Sequence, residues 1–280
     1  GPLSKLVAGH EDIEIVQQNF DLFPNHKVKD IIQFKLRYYT EEYQDHRINE
    51  LLELCNLKNE ALKTPKELSG GQEQRVALAQ ALANEPKLIL MDEPFSHLDV
   101  VLKRQLKAEI IEIIKKTNTT FIFVTHDTED ALSISDQILI LQDGNLLQVG
   151  SPVDIYERPV NSYVASFFGT PSLFKLSDLH KNTSKVPNTN QIAFLRAEHI
   201  QISENGVISG KVKHCYYHGF QFQIVIELLN GLTFTCYSKK IFEPNSNIKL
   251  SIDLEKIYVS VSYTHLRAHE TDSYLVCRLL

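Results

Sequence analysis

The sequence is poor in cysteine and has no excess of positive charge. Its four cysteines are scattered without a C-x-x-C pair, which argues against a disulfide framework and favours a reduced cytosolic chain. The net charge is −6, which excludes a global basic field that would attract nucleic acid or anionic lipid. Any bound anion must therefore be held by local geometry.

Long apolar runs and targeting signals are also absent. No stretch of roughly 18 or more apolar residues occurs, and the sequence shows no signal peptide. A role at a membrane would therefore be exerted through a partner. The hydrophobic content of 43% over 280 residues is enough for one large domain or two smaller ones, each with its own core.

The two ends of the chain do not look native. The chain opens GPLSKLV without an initiator methionine, as a fragment or a processed product would. The final stretch, SYTHLRAHETDSYLVCRLL, follows no hydrophobic period and resembles translated sequencing-adapter read-through. We therefore expect residues 261–280 to be a non-native tail that takes no part in the fold.

Strand and helix patterns alternate over residues 1–169. Asp143-Gly144 predicts a hairpin turn within QILILQDGNLLQVG. Apolar runs predict strands at 13–16, 87–91 and 119–125, and helical spacing predicts helices over about 41–55, 69–83 and 102–114. Strands separated by helical crossovers indicate a parallel sheet wrapped by helices.

The pattern changes after residue 169. Residues 170–190 are rich in Ser, Thr, Asn and Pro and are interpreted as a linker. Residues 191–260 show short alternating strands, with a hairpin signal at Asn230-Gly231, and predict a small all-β barrel of OB type. Barrels of this type also bind oligonucleotides, but clustered basic and stacking aromatic side chains are few, so no nucleic-acid partner is expected.

The stretch LSGGQEQR, residues 68–75, places two glycines at the start of a helix. Ser69 is positioned to cap this helix, and Gln72 completes an S-x-x-Q capping box. Gly70 and Gly71 remove side chains that would shield the backbone N–H groups, and a helix N-terminus attracts anions. The alternative is a capped helix with flexible glycines and no ligand.

Two further strands end on polar side chains. LILMDEP ends a buried strand on Asp92 and Glu93, where open α/β sheets bind ligands. Asp92 can hold Mg²⁺ through water, and Glu93 can polarise an attacking water. His126 in VTHD ends the neighbouring strand and can reach the same phosphate. The alternatives are a solvated acidic turn and an ordinary loop histidine.

The order and spacing of these motifs resemble the ATPase subunit of ATP-binding-cassette (ABC) transporters over roughly residues 10–169. The resemblance implies an α/β fold with a P-loop-NTPase-like parallel sheet whose first strand–helix unit is missing. It adds a small C-terminal OB-like barrel. ATP and Mg²⁺ are the cofactors implied.

The resemblance also assigns roles to individual residues. Gln18, within IVQQNFDLFP, is the Gln-loop residue that senses Mg²⁺ and the attacking water and contacts the membrane subunit, with adjacent Gln17 as the alternative. Asp92 holds Mg²⁺, Glu93 is the general base, and His126 contacts the γ-phosphate. The nucleotide-contacting residues are Ser69, Gly70, Gly71 and Gln72 of the signature, together with Asp99 of SHLD in the dimer-contact loop.

In this family the signature closes over ATP held by a partner, so two cassettes enclose two nucleotides. The family's phosphate loop, G-x-x-x-x-G-K-[ST], does not occur in the sequence. We interpret this as N-terminal truncation. We therefore expect the full-length parent to hydrolyse ATP and this chain alone to be inactive.

The stretch GSPVDIYERP…SYVASFFG followed by FLRAEHIQIS is similar to bacterial importer ATPases with a C-terminal TOBE domain. The implied partners are transmembrane permease subunits, a second identical ATPase subunit and, indirectly, a periplasmic or lipoprotein substrate-binding protein. The implied location is the cytoplasmic face of the bacterial inner membrane. A soluble ABC-type ATPase of DNA repair or translation and a non-catalytic regulatory fragment remain alternatives. The transported substrate is left open among metal ions, polyamines, sugars and anions.

Overall fold

The computed structural model describes residues 12–17, 20, 22–96, 99–259 and 273–279. Gln18 therefore lies outside the described residues, as do His97 and Leu98 of the SHLD motif. The chain forms two compact units, one containing the N-terminal elements up to Pro152, the other beginning at Val153. In the described part of the chain, no helix combines the length and apolarity needed to cross a bilayer.

The first unit alternates strands and helices. In chain order its elements are β1 (Ile13–Val16), α1 (Val28–Lys35), α2 (Glu41–Leu54), α3 (Gly70–Leu82), β2 (Leu88–Asp92), α4 (Val100–Lys116), β3 (Thr120–Thr125), α5 (Thr128–Ile134), β4 (Gln137–Gln142) and β5 (Asn145–Gly150). The predicted strands and helices of this region are confirmed. Helix α1 lies where no helix was predicted, and it buries Val28, Ile31 and Ile32.

Parallel pairing organises the sheet of this unit. β1 pairs with β2 and β2 with β3, all running in the same direction, which confirms the predicted parallel arrangement. Alternate residues of β2 and β3 are buried, among them Ile89, Phe121 and Phe123. Their β-branched and aromatic composition favours extended backbone whose side chains pack into a core. The carboxyl ends of β1, β2 and β3 consequently meet at one edge of the sheet.

β4 and β5 form the predicted hairpin. They pair in antiparallel fashion around a turn in which Asp143 has φ 49° and Gly144 has φ 74°. Two consecutive positive φ values are typical of a type I′ turn, which Asp-Gly adopts readily because glycine has no Cβ to clash.

The second unit is rich in strands. Its elements are α6 (Pro152–Glu157), α7 (Ser162–Phe167), β6 (Ser172–Lys175), α8 (Leu176–His180), β7 (Ile192–Leu195), β8 (Ile200–Ile202), β9 (Ile208–Tyr217), β10 (Phe222–Leu228), β11 (Thr233–Ser238), β12 (Asn247–Ile252) and β13 (Tyr258–Val259). One antiparallel sheet has the order β11-β10-β9-β12-β8, and its end strands β11 and β8 contact each other. This nearly closed sheet confirms the predicted barrel.

The stretch interpreted as a linker, residues 170–190, contains β6 and α8. β6 pairs with β7, and β7 with β13, in a small second sheet. Phe174 of β6 and Leu179 of α8 are buried in the core of the second unit. The predicted domain boundaries themselves remain predictions.

A last strand, β14 (Ser273–Leu279), belongs to the first unit. The sheet order there is β1-β2-β3-β14-β4-β5, with β14 antiparallel to both neighbours. The expectation that residues 261–280 take no part in the fold is therefore wrong for 273–279. The physical reason is an alternation that buries Leu275, Cys277 and Leu279 in the sheet. Whether the tail is native remains a prediction.

A substitution at Gly210 in β9 tests how tightly the barrel is packed. A Cβ at this position would lie 2.7 Å from Cγ2 of Ile226 and 3.0 Å from the carbonyl oxygen of Glu227. We expect Gly210→Ala to lower the free energy of unfolding by about 1–3 kcal/mol, because the neighbouring strand must move. Ser209→Ala, on the exposed side of the same strand, should change it by less than about 0.5 kcal/mol. Urea unfolding measures both, and equal stability of the two variants would contradict the packing described.

Candidate functional site

The carboxyl ends of three parallel strands bring the candidate side chains to one edge. Asp92 pairs in register with Val124, so Glu93 and His126 follow neighbouring strands at nearly the same level. Gln17 directly follows β1 at this same edge and is exposed. The backbone pairing of the strands is enough to bring these strand ends together, as the sequence predicts.

Glu93 and His126 are in direct contact. Nδ1 of His126 lies 2.7 Å from Oε1 of Glu93. The Glu93 side chain is 16% exposed and the His126 side chain 71% exposed, so a largely sheltered carboxylate contacts a ring that is open to solvent. With Nδ1–H donating to the carboxylate, the second ring nitrogen, Nε2, remains available for another contact.

The backbone of Glu93 is unusual. Its φ is 46°, in the left-handed region that non-glycine residues rarely occupy. Its N–H donates to the carbonyl oxygen of Val124 at 3.0 Å, and its own carbonyl oxygen accepts from Oγ of Ser96 at 3.0 Å. These bonds hold a conformation that costs of order 1–3 kcal/mol and that commonly marks functional sites.

The loop after Glu93 is fixed to both the sheet and helix α3. Phe95 packs edge-on against Phe123, with 6.1 Å between ring centroids. Gln74, a buried residue of α3, donates through Nε2 to the carbonyl oxygen of Pro94. The helix that carries the glycine signature is thereby hydrogen-bonded to the acidic loop. No local pattern in the sequence indicated this role for Gln74.

The signature forms the predicted capping box. Oγ of Ser69 accepts from the backbone N–H of Gln72 at 3.4 Å, and Oε1 of Gln72 accepts from the backbone N–H of Ser69 at 2.9 Å. Ser69 and Gly70 are exposed. Gly71 is buried, and a Cβ there would lie 3.0 Å from Cδ1 of Leu102 in α4. The second glycine therefore lies close against the Leu102 side chain, where a larger residue would require Leu102 to shift. Nucleotide contact by the signature remains a prediction.

Asp99 caps helix α4. Its Oδ1 accepts hydrogen bonds from the backbone N–H groups of Val101 and Leu102, each at 3.0 Å. Satisfying these first N–H groups favours the start of the helix at this position. The sequence analysis assigned Asp99 to a dimer-contact loop, which remains a prediction, and did not identify the cap.

A charged cluster joins α4 to α5 directly behind His126. Nζ of Lys103 lies 2.5 Å from Oδ2 of Asp127 and 2.8 Å from Oδ2 of Asp130, and Lys107 pairs with the other oxygen of Asp130. Asp130 is only 1% exposed. Burial raises the pKa of Asp127, but hydrogen bonding and charge pairing with Lys103 outweigh it and lower the pKa below its usual value.

The sequence analysis did not identify this cluster. Asp127 was part of the VTHD motif, but it had no role assigned. In the structure it caps α5, with Oδ1 accepting from the backbone N–H of Glu129 at 2.8 Å. An aspartate between a strand and a helix is a common helix cap, so the sequence did contain a signal for this role of Asp127. The lysines of α4, by contrast, looked like an ordinary solvated helix face.

The residues predicted to hold Mg²⁺ are one exposed carboxylate, Asp92, and Gln18, which lies outside the described residues. Among the residues with described structure, no group of three or more His, Cys, Asp and Glu side chains could hold a metal ion. A single carboxylate suits Mg²⁺, which binds proteins through one or two carboxylates and takes its other ligands from phosphate and water. The metal role of both residues remains a prediction.

Two family models match the sequence. The model of the ABC transporter family matches residues 4–96, and the model of the TOBE domain matches residues 193–259. The first includes the signature and the Asp92–Glu93 strand end, and the second coincides with the barrel. A solved structure of cbiO1 from Clostridium perfringens, part of the ABC transporter complex cbiONQ, has a TM-score of 0.49 and 28% identity. That match covers 52% of this chain and 59% of the other.

Two relatives carry the same description, spermidine/putrescine import ATP-binding protein PotA. The one from Thermotoga maritima is 44% identical over 165 residues, which is 58% of this chain and 45% of that protein. The one from Clostridioides difficile is 32% identical over 274 residues, which is 92% of this chain and 79% of that protein. With the signature, the acidic strand end, the histidine strand end and the barrel in one order, the chain belongs to the family of ABC importer ATP-binding subunits with a C-terminal TOBE domain.

Proposed function

We propose that the protein to which this chain belongs is the energy-coupling ATPase of a bacterial importer. The observation that carries the proposal is the contact between Glu93 and His126 at the shared carboxyl edge of β2 and β3. A carboxylate and an imidazole at this edge are suited to a water attacking a phosphoryl group. The family membership supports ATP as the nucleotide.

In this proposal Glu93 accepts the proton of the attacking water. Its side chain is largely sheltered, and its Oε1 is held by His126, so one oxygen is oriented while the other is left to meet the water. The exposed ring of His126 would contact the γ-phosphate through Nε2, which donates to a phosphate oxygen when both ring nitrogens carry a proton. Mg²⁺, held by Asp92 through water and by Gln18, would neutralise phosphate charge. Catalysis is then positioning and electrostatics.

The signature acts on a second copy of the subunit. Ser69 and Gly70 are exposed at the N-terminus of α3, a helix of 13 residues whose dipole favours an anion at that end. They would close on the γ-phosphate of ATP held by the partner, with Gly71, Gln72 and the Asp99 loop supporting the contact. The active form is therefore a homodimer enclosing two nucleotides.

Transport requires further partners. We propose that the dimer docks on transmembrane permease subunits at the cytoplasmic face of the bacterial inner membrane, and that a periplasmic or lipoprotein binding protein delivers the substrate. Both named relatives are described as spermidine/putrescine import proteins. Polyamines are thus the first substrates to test, by uptake of labelled spermidine in cells with and without the intact gene.

The two alternative functions differ in what they bind. A soluble ABC-type ATPase of repair or translation would not co-purify with a permease, whereas the TOBE barrel and the two importer relatives favour the importer. A non-catalytic regulatory fragment would only close a partner's site with its signature. For the isolated chain this second candidate is favoured by the lack of a G-x-x-x-x-G-K-[ST] string in the sequence.

The isolated chain should not hydrolyse ATP. Without the backbone cradle and lysine of a phosphate loop, the β- and γ-phosphates have no binding site of their own. Phosphate release by the purified 280-residue chain with Mg²⁺ and ATP should equal the protein-free background. Turnover clearly above background that disappears in Glu93→Gln would contradict this expectation.

Glu93 should control hydrolysis in a chain that carries a phosphate loop. In the full-length parent, Glu93→Gln should lower kcat by about 10²–10⁴-fold, because the amide cannot accept the proton of water. Nucleotide binding should persist, as measured with a fluorescent ATP analogue. Glu129→Gln, an exposed change on α5, is the matched control and should leave kcat unchanged. A parent that keeps its kcat in Glu93→Gln would exclude Glu93 as the base.

Lys103 should hold the His126 strand end to the Asp99 helix. Lys103→Met leaves Asp127 without this partner and the buried Asp130 with Lys107 alone. We expect the free energy of unfolding to fall by about 3 kcal/mol, because an under-compensated buried charge is costly. Amide exchange in α5 should also accelerate. Arg104→Met, exposed on the same helix, is the control. Equal unfolding free energies and equal amide exchange in the two variants would disprove the role of Lys103 in joining α4 to α5.

A further inference from the structure

The stretch LSGGQEQR continues past its capping box with a glutamine that is buried in the first unit. Gln74, in the second turn of α3, is 3% exposed, whereas Ser69 and Gly70 at the start of the same helix are exposed. A side chain buried to this degree cannot take part in the proposed contact between the signature and a partner's nucleotide. Its role therefore depends on what it contacts inside its own unit.

The Gln74 side chain is oriented by a hydrogen bond to the acidic loop. Its Nε2 donates to the carbonyl oxygen of Pro94, the residue after Glu93. Pro94 is buried, and a buried carbonyl group requires a hydrogen-bond donor. Oε1 of Gln74 is also buried and has no hydrogen-bond partner within the described parts of the chain. The bond to Pro94 therefore fixes which way the amide faces.

The unpaired oxygen makes Gln74 a poor residue for stability alone. Leaving a buried acceptor without a partner costs free energy, and an apolar side chain of the same length would avoid that cost. The feature that an apolar side chain cannot reproduce is the hydrogen bond donated to Pro94. The role of Gln74 is therefore to be found in the loop that this bond holds.

The backbone of Glu93 needs a restraint of this kind. Its φ of 46° lies in the left-handed region, and a residue before proline normally favours extended backbone. Both preferences oppose the conformation that brings the Glu93 carboxylate to His126. The N–H of Glu93 is bonded to Val124 on one side, and Gln74 holds Pro94 on the other. The backbone of Glu93 is thus restrained from both directions.

Helix α3 is a fixed support for this bond. Gly71, one turn before Gln74, lies close against the Leu102 side chain of α4. Arg75, the residue after Gln74, pairs through Nε with Oε2 of Glu109 in α4 at 2.9 Å. These contacts join α3 to α4 on both sides of Gln74 in the sequence. The amide consequently reaches the loop from a helix whose own position is set.

We propose that Gln74 is a positioning residue for Glu93. Its amide holds the turn at Glu93 and Pro94, and so keeps the Glu93 carboxylate in contact with His126 at the carboxyl edge of β2 and β3. Gln74 acts through Glu93 and contacts no reacting group itself. The restraint on the turn is independent of the proposed function, whereas its effect on hydrolysis rests on Glu93 being the base in that function.

The first experiment measures amide hydrogen exchange by NMR in the 280-residue chain. The N–H of Glu93 reports on the turn, because it is bonded to the neighbouring strand one residue beyond β2. Gln74→Met removes the donor at nearly constant side-chain length and should accelerate exchange of the Glu93 amide at least about tenfold. The amide of Met91, inside β2, should keep its wild-type rate.

Gln80→Met is the matched control, since it is the same substitution on the same helix, and it should leave the exchange of the Glu93 amide unchanged. Equal acceleration at Glu93 and Met91 in Gln74→Met would show a general loss of stability. Unchanged exchange at Glu93 would show that the turn holds without Gln74. Either result would overturn the proposal.

The second experiment measures steady-state and single-turnover ATP hydrolysis in a full-length parent that carries a phosphate loop. Gln74→Met should lower kcat at least about tenfold and leave KM for ATP within about twofold, because the base is displaced while the nucleotide site is kept. In the Glu93→Gln background the same change should have no further effect, since Gln74 acts through the Glu93 carboxylate. An equal loss in both backgrounds, or a rise in KM with kcat unchanged, would overturn the proposal.

The two experiments separate this inference from the proposed function. A wild-type parent that does not hydrolyse ATP counts against the proposed function, and the exchange of the Glu93 amide then decides whether Gln74 positions Glu93. Accelerated exchange together with an unchanged kcat would show that the turn needs Gln74 for its structure and not for hydrolysis. That result would overturn the positioning role while leaving the proposed function in place.

Discussion

The parallel pairing of β2 with β3 is the constraint on which the rest of the site depends. The backbone bond from Glu93 to Val124 extends the ladder one residue beyond β2. Glu93 therefore adopts its left-handed conformation at a fixed position along the β2–β3 ladder. Its carboxylate contacts His126, which follows β3. A shift of register by one residue would send these side chains to opposite faces of the sheet and separate the pair.

Capping side chains and a buried charge cluster position the helices of this unit. Ser69, Asp99 and Asp127 each cap a helix of the same unit, and a cap contributes about 1 kcal/mol. The cluster around the buried Asp130 is the stronger restraint, because losing one partner of a buried charge costs about 3–5 kcal/mol. The caps thus set where the helices begin, while the cluster sets how α4 lies against α5. Lys103 contacts both segments, since its backbone N–H donates to the carbonyl oxygen of Asp99 and its Nζ pairs with Asp127, the residue after His126.

A different requirement, backbone hydrogen bonding, governs the centre of the sheet. The backbone N–H and C=O groups of β3 and β4 must be hydrogen-bonded. A strand of either direction and of any origin can satisfy this requirement. Local sequence in the last residues gave little reason to predict a strand, yet alternation at Leu275, Cys277 and Leu279 fits the core.

The sequence by itself determined the alternation of strands and helices, the Asp143-Gly144 hairpin, the capping box at Ser69 and the polar strand ends, because these depend on local periodicity and backbone preferences. It also indicated the barrel and the family. Only the tertiary structure decided that Gly71 lies against Leu102 of α4, that Lys103 joins α4 to α5 and that the C-terminal strand lies inside the sheet. Those features arise from contacts between segments distant in the chain, and no local pattern specifies which distant surface a side chain or strand will meet.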